Sequence, residues 1–170
     1  NPETPQAPTF LQVLDPVYKT PTSYQYSFGA QYELAPRSTV DLSYVGSRQI
    51  HQGRNRDINQ VPAQYRKEVF EGEVNPDLVR PYLGYSNIYV NERVGSTRYN
   101  SLQGMFSHRM GRGLTFQAAY AWSTTISTVA NLDSEAIDSA VYDAYNPSLE
   151  KGFASADQRH SLTMNYNWEL

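Results

Sequence analysis

The three histidines are the first side chains in this sequence that could support acid–base or metal chemistry. They are His51, His108 and His160, and neither an HxH nor an HExxH spacing occurs. An HExxH pair on one helix face would have indicated zinc. His160 follows Arg159 and Asp157, so one interpretation is a proton relay. The alternative, which we favour, is a polar network at the rim where a strand begins.

Two groups of charged residues could hold an ion. Four carboxylates crowd one stretch, namely Asp133, Glu135, Asp138 and Asp143. Carboxylate oxygens bind calcium, but the EF-hand spacing with its glycine is missing, so we expect a solvated acidic loop. Four cations accompany Tyr65, namely Arg54, Arg56, Arg66 and Lys67. They could contact an anionic ligand, yet we expect them to keep their loop solvated.

No sequence motif indicates catalysis. The nucleophile pattern GxSxG is absent, and Gly111-Arg112-Gly113 is too short to cradle a phosphate, so it predicts a turn. Without cysteine the chain has neither disulfides nor thiolate metal sites. We therefore expect no enzyme, no cofactor and no metal, and we assign no catalytic, cofactor-binding or metal residue.

Composition narrows the class further. The 170 residues suffice for one domain or part of a larger one, and the net charge of −3 argues against a general nucleic-acid binder. No window approaches the roughly 18 apolar residues of a spanning helix, which excludes helical membrane proteins but not barrels. The chain opens on Asn1 without methionine, so we expect an excised or mature segment.

The stretch Tyr99–Ile126 has the clearest strand pattern. On either side of Gly111–Gly113, apolar residues alternate with Ser, Thr, Gln and Ala, and period-two alternation predicts strands. Each arm has roughly a dozen residues, longer than the usual five or six and sufficient for the about 9–11 that cross a bilayer. The small polar face suits the wall of a wet lumen. An ordinary antiparallel sheet of a soluble protein is the alternative.

The same alternation recurs along the chain. It predicts an all-β, antiparallel up-and-down meander of five to six long strands, a segment of a large transmembrane β-barrel with two long irregular loops. The strands are expected at about 23–34, 39–47, 87–110, 114–126 and 159–170. The loops are 48–86, with a possible short helix at 63–71, and 127–156. Residues 1–22 form a proline-rich extended lead-in, because proline prevents regular pairing.

Connection lengths and side-chain alternation orient this meander. Short turns at 35–38 and 111–113 fall at one end and both long loops at the other, as periplasmic turns and outer loops do. The lipid-facing set is expected to be Tyr24, Phe28, Leu42, Phe106, Phe116, Trp122, Met164 and Trp168. The lumen-facing set is expected to include Gln25, Gln31, Gln103, Gln117 and Asn165. Phe116→Arg should then weaken membrane assembly strongly, whereas Gln117→Arg should be tolerated.

Three short motifs carry a family resemblance. YVGSR stands at Tyr44–Arg48, YNSLQ at Tyr99–Gln103 and DQRH at Asp157–His160. In this order they resemble Oar-like TonB-dependent outer-membrane receptors over nearly the whole chain. The resemblance implies a barrel of about 22 strands with a plug inside, energised by TonB, that moves a bulky substrate across the outer membrane of a Gram-negative bacterium. The plug and the TonB box are not recognisable in this chain.

Two other functions stay open. Unpaired edges near Ser23–Leu34 and Arg159–Leu170 could assemble copies of the chain into a filament or ring with a structural or adhesive role at the cell surface. A soluble carbohydrate-binding β-sandwich that uses its tyrosines is the weaker alternative. The expected partners are outer-membrane lipid and either the rest of the barrel and plug or further copies; TonB follows from the resemblance alone, and no nucleic acid is expected.

Overall fold

The computed structural model describes residues 8–111, 113–129 and 142–168. Within these ranges seven strands hydrogen-bond into one sheet. They are β1 (Thr9–Leu14), β2 (Thr22–Ala35), β3 (Ser38–Asp57), β4 (Tyr85–Arg109), β5 (Leu114–Ser127), β6 (Gly152–Phe153) and β7 (His160–Trp168). The strand order is β2-β3-β4-β5-β6, with β1 paired to β4 and β7 paired to β5. The predicted all-β antiparallel meander is confirmed.

The chain forms two compact units, each described here by itself. The strand unit consists of the described residues of 22–50, 96–127 and 153–170, and the loop unit of those of 1–21, 51–95 and 128–152. The loop unit contains two short helices, α1 (Arg66–Phe70) and α2 (Pro76–Val79), and two single turns of 3₁₀ helix, Ala63–Tyr65 and Pro147–Glu150. In the described part of the chain, no helix has the length and apolarity needed to cross a membrane.

Two tight connections close the hairpins of the strand unit. Between β2 and β3 the chain turns at Pro36 and Arg37, and Arg37 adopts a left-handed φ of 71°. Proline followed by a residue with positive φ is the pattern of a type II turn. At the second hairpin the Met110 N–H donates to the Leu114 carbonyl at 2.7 Å, and Gly113 has φ 77°, which glycine adopts without steric cost.

The expectation of an unpaired lead-in at 1–22 is wrong for part of that stretch. β1 pairs in parallel with β4, with Leu11 opposite Ile88 and Val13 opposite Val90. Pro8 and Pro16 flank this strand, so every residue of β1 keeps the N–H that pairing requires. β2 also begins one residue earlier than predicted, at Thr22. Residues 1–7 lie outside the described ranges.

The first long loop is shorter than predicted, because β3 continues to Asp57. Apolar alternation ends near Tyr44, so sequence pattern gave no reason to extend the strand. Polar contacts with β4 hold this extension instead, as in the bond from Asn91 Nδ2 to Asn55 Oδ1 at 3.0 Å. In the second long loop, 127–156, residues 130–141 lie outside the described ranges, and Gly152–Phe153 forms β6.

Candidate functional site

One face of the strand unit collects the apolar side chains. Residue pairing places Phe28 opposite Tyr44 and Ala30 opposite Leu42 on β2 and β3. On β5, Trp122 lies opposite both Leu102 of β4 and His160 of β7. Because side chains alternate along a strand, every second residue joins this apolar face. It contains all eight residues predicted to face lipid: Tyr24, Phe28, Leu42, Phe106, Phe116, Trp122, Met164 and Trp168.

The apolar face is open to its surroundings. Phe28 is 80% exposed and Trp168 62% exposed. Phe106 and Phe116 are half-buried because they pack on each other, with ring centroids 6.5 Å apart. Ala154 is the single buried apolar residue among those described in the strand unit. Exposed apolar surface of this extent marks contact with a membrane or another protein.

The opposite face carries small and polar side chains, and we call it the polar face. Gln31 lies opposite Asp41 and Gln25 opposite Ser47, while Gln117 lies between Ser107 and Asn165. The five residues predicted to face the lumen all share it. Two open hollows lie along it, of about 670 Å³ near the tight turns and about 360 Å³ between Ser43, Gln103 and Ser161.

A polar group stands on the apolar face near the long-loop end. Asn100 Oδ1 accepts hydrogen bonds from the hydroxyls of Tyr26 at 2.9 Å and Tyr44 at 2.8 Å. The Tyr26 ring passes directly over Gly46, where a side chain would collide with it. The two tyrosines thereby satisfy the amide oxygen and present their ring bodies outward, as interfacial aromatics of barrels do. We call these three residues the tyrosine–asparagine cluster.

Paired charges hold the loop unit together. Arg54 Nη2 and Glu92 Oε2 are 3.3 Å apart, and their side chains are only 10% and 11% exposed. Arg56 Nε donates to the other oxygen of Glu92 at 2.6 Å. Lys67, by contrast, is mostly exposed, and its Nζ lies 3.9 Å from Glu71 Oε1. The expectation that these cations merely solvate their loop is therefore wrong for Arg54, because a buried guanidinium requires a paired anion.

The side chain of Asn59 is hydrogen-bonded through both of its polar atoms in the loop unit. Its side chain is fully buried, its Oδ1 accepts from the Tyr82 N–H at 2.7 Å, and its Nδ2 lies within 3.0 Å of the carbonyl oxygens of Tyr82, Tyr85 and Ser86. Arg80 donates to its main-chain carbonyl at 2.7 Å. One side chain thus replaces the backbone pairing that irregular segments lack.

A second contact within the loop unit joins the two long loops, and we call it the loop clasp. Arg66 binds Asp143 with both terminal nitrogens, at 3.2 and 3.0 Å. Gln60 assists, because its Oε1 accepts from the Ala144 N–H at 2.8 Å and its Nε2 donates to the Tyr142 carbonyl at 2.9 Å. Hydrogen bonding from Arg66 lowers the pKa of the Asp143 carboxyl, and the same bond raises the pKa of Arg66.

The histidines and the DQRH run have structural contacts. His160 Nδ1 lies 2.8 Å from the Tyr120 hydroxyl, whereas Asp157 accepts from the Thr125 N–H at 2.6 Å and pairs with Arg159 at 3.5 Å. This is the rim network expected as the alternative to a proton relay. His108 Nδ1 lies 2.7 Å from the Ser38 hydroxyl, and His51 Nδ1 lies 3.1 Å from the Thr20 carbonyl.

The acidic loop is described only in part. Asp133, Glu135 and Asp138 lie outside the described ranges, and Asp143 forms an ion pair with Arg66. Across residues 8–111, 113–129 and 142–168, no three His, Asp or Glu side chains gather closely enough to hold a metal ion.

Sequence pattern missed Asn59, Glu92 and Asn100. Asn59 and Glu92 act through partners on other segments, so no local spacing of residues in the sequence indicates them. Asn100 did carry a signal, because it is a polar residue at an apolar position of β4 with tyrosines on β2 and β3. An amide there requires hydroxyl partners, since an unpaired polar group facing lipid is costly.

A sheet of long antiparallel strands, apolar on one face and polar on the other, is the wall of a transmembrane β-barrel. The family model described as "Outer membrane beta barrel domain" matches residues 1–170, and the chain belongs to that family. It therefore forms barrel wall in an outer membrane, in contact with membrane lipid. No curated protein and no solved structure matches the chain significantly.

Proposed function

We propose that this chain is barrel wall of an Oar-like, TonB-dependent receptor that moves a bulky substrate across the outer membrane of a Gram-negative bacterium. The observation that carries the proposal is the open sheet. In the strand unit, β2 and β7 each pair on one side only within the described residues, so 14-residue and 9-residue edges require further strands. A large barrel supplies them, and the motifs at 44–48, 99–103 and 157–160 favour the TonB-dependent class.

The faces and loops then take definite roles. The apolar face contacts lipid, the polar face lines the lumen, and the long loops lie outside the cell, because outer loops of such barrels are the longer ones. The loop unit holds its ion pairs and Asn59 internally, so it offers a preorganised outer surface to a substrate. We propose no catalytic step, cofactor or metal for this chain.

The test uses the complete polypeptide purified from its native outer membrane. Electron microscopy should show one closed barrel, larger than this chain alone can build, with a plug inside. The solubilised protein should also bind the periplasmic domain of TonB in a titration. A ring or filament built from copies of this chain, without affinity for TonB, would contradict the proposal.

The same two edges support a second candidate, a multi-chain structural or adhesive assembly. Edge strands with free backbone groups pair with other copies unless charge, proline or a covering element prevents it. Residues 22–35 carry a single charged side chain, Glu33, and no proline, so β2 has little protection against such pairing. Negative-stain images of residues 1–170 in detergent separate the candidates, because assembly predicts filaments or rings of uniform diameter.

A further inference from the structure

Two arginines stand side by side on the apolar face at its long-loop border. The Arg109 N–H donates to the Arg37 carbonyl at 3.0 Å, and the Ser38 hydroxyl lies 2.7 Å from His108 Nδ1. These two contacts define the register between β3 and β4. Ten residues forward from Ser38 on β3 and ten residues back from His108 on β4, the same antiparallel pairing places Arg48 opposite Arg98.

The pairing of β2 with β3 and of β5 with β4, and the tyrosine–asparagine cluster, agree with this placement. Tyr24 lies opposite Arg48, and Ile126 lies opposite Arg98. The cluster occupies the adjoining row, where Tyr26 crosses Gly46 to reach Asn100. Both arginines therefore belong to the row that borders the aromatic residues on the long-loop side.

Among the described residues, neither guanidinium group has an anion of its own. Both side chains are exposed, and no carboxylate of the described residues lies within ion-pair distance of either. Like charges directly opposite across a strand pair destabilise a sheet. An arginine pair in this position gains stability when one anion bridges it, because residues opposite each other have Cβ atoms about 5 Å apart.

We propose that Arg48 and Arg98 form a binding site for the phosphate group of an outer-leaflet lipid. The apolar face positions acyl chains, the tyrosines mark the interface, and the arginines stand where headgroups begin. Guanidinium binds phosphate through paired hydrogen bonds, and two of them clamp it from both strands. The inference rests on membership of the barrel family and on the long loops lying outside, and it is independent of TonB.

The test is native mass spectrometry of the full-length protein in a neutral detergent. Diphosphoryl lipid A is the probe, and dephosphorylated lipid A, phosphatidylcholine and inorganic phosphate are separate arms. The variants are R48Q, R98Q and the double variant R48Q/R98Q. The matched control is R37Q/R109Q, which removes the same charge at the tight-turn end. Heat-dependent migration on gels verifies that each variant is folded.

Each single variant should bind diphosphoryl lipid A roughly fivefold more weakly and the double variant roughly 30-fold more weakly, from the usual contribution of one cation at an anionic membrane surface. The control should bind as the unchanged protein does. Equal binding by the double variant, equal binding of dephosphorylated lipid, or displacement of the lipid by inorganic phosphate would each overturn the proposal. If the double variant does not fold, the two single variants decide the matter.

Discussion

At the scale of single residues, the apolar face tolerates a polar side chain only where its hydrogen bonds are complete. Asn100 illustrates this, because its oxygen accepts from the Tyr44 hydroxyl of the adjacent β3 and from the Tyr26 hydroxyl, which reaches across β3 from β2. The arrangement depends on Gly46, which leaves space for the Tyr26 ring. One glycine, one amide and two phenols therefore act as a unit.

We expect Gly46→Ala to destabilise the folded barrel by about 1 kcal/mol, the usual net value of one hydrogen bond. The added methyl would collide with the Tyr26 ring and move its hydroxyl away from Asn100. The measurement is equilibrium unfolding from lipid vesicles, followed by tryptophan fluorescence. Gly104→Ala is the matched control, since nothing lies within 4 Å of its added methyl; equal stability of the two variants would contradict this account.

Charge on the apolar face should be costly in proportion to depth. Met164 lies opposite Ala118, between the rows of Phe116 and Trp122, so Met164→Arg should lose about 2–4 kcal/mol of folding free energy in lipid. Phe116→Arg, nearer the turns, should lose less, and Gln117→Arg on the polar face should be nearly neutral. The same unfolding assay gives all three values. A Gln117→Arg loss as large as that of Met164→Arg would show that the faces are assigned wrongly.

At the scale of elements, sequence pattern predicted the strands whose two faces differ in polarity. β2, β4 and β5 begin and end within two residues of the predicted bounds, because apolar and polar residues alternate through most of each strand. The outer half of β3 was missed, since Arg54, Asn55 and Asp57 are polar on both faces. β1 was missed because a parallel partner is distant in sequence. Ion pairs and a bond between buried amides hold the outer half of β3, and such contacts have no local period.

The loop clasp should open in acid. The pKa of Asp143 in the folded chain lies below its ordinary value of 3.8, so its contribution to stability is complete above that value and is lost as pH falls through the lowered pKa. Pepsin cleavage of the barrel in lipid should therefore begin near Tyr142–Tyr145 only below about pH 4.

The control for the clasp is Asp143→Asn, which cannot pair ionically with Arg66. Its cleavage near Tyr142 should be fast at every pH at which pepsin is active. Resistance of the unchanged protein at the lowest pH, or resistance of the variant throughout, would show that another contact holds the second loop.

At the scale of the whole molecule, the strand unit is an unfinished surface. Its apolar face is open, and its polar face is open except where Thr97, Ser101, Thr125 and Ser127 are buried. Both of its edges require further strands, so its stability comes from neighbours rather than from an apolar core of its own. Lipid supplies one neighbour. The remainder of a larger barrel, or further copies of the chain, supplies the others. The candidate site could be inferred from sequence only as a face, because the arginine pair and the tyrosine–asparagine cluster depend on how β3 and β4 pair.

With the long loops outside the cell, as proposed above, the loop clasp has an immunological consequence. It joins Arg66 to a residue 77 positions away in the chain, and Gln60 binds the same distant segment. An antibody or a bacteriophage that recognises this surface would meet a discontinuous epitope made from both segments. Synthetic peptides copied from either segment alone would not reproduce it, whereas a vaccine antigen that keeps Arg66 and Asp143 paired would.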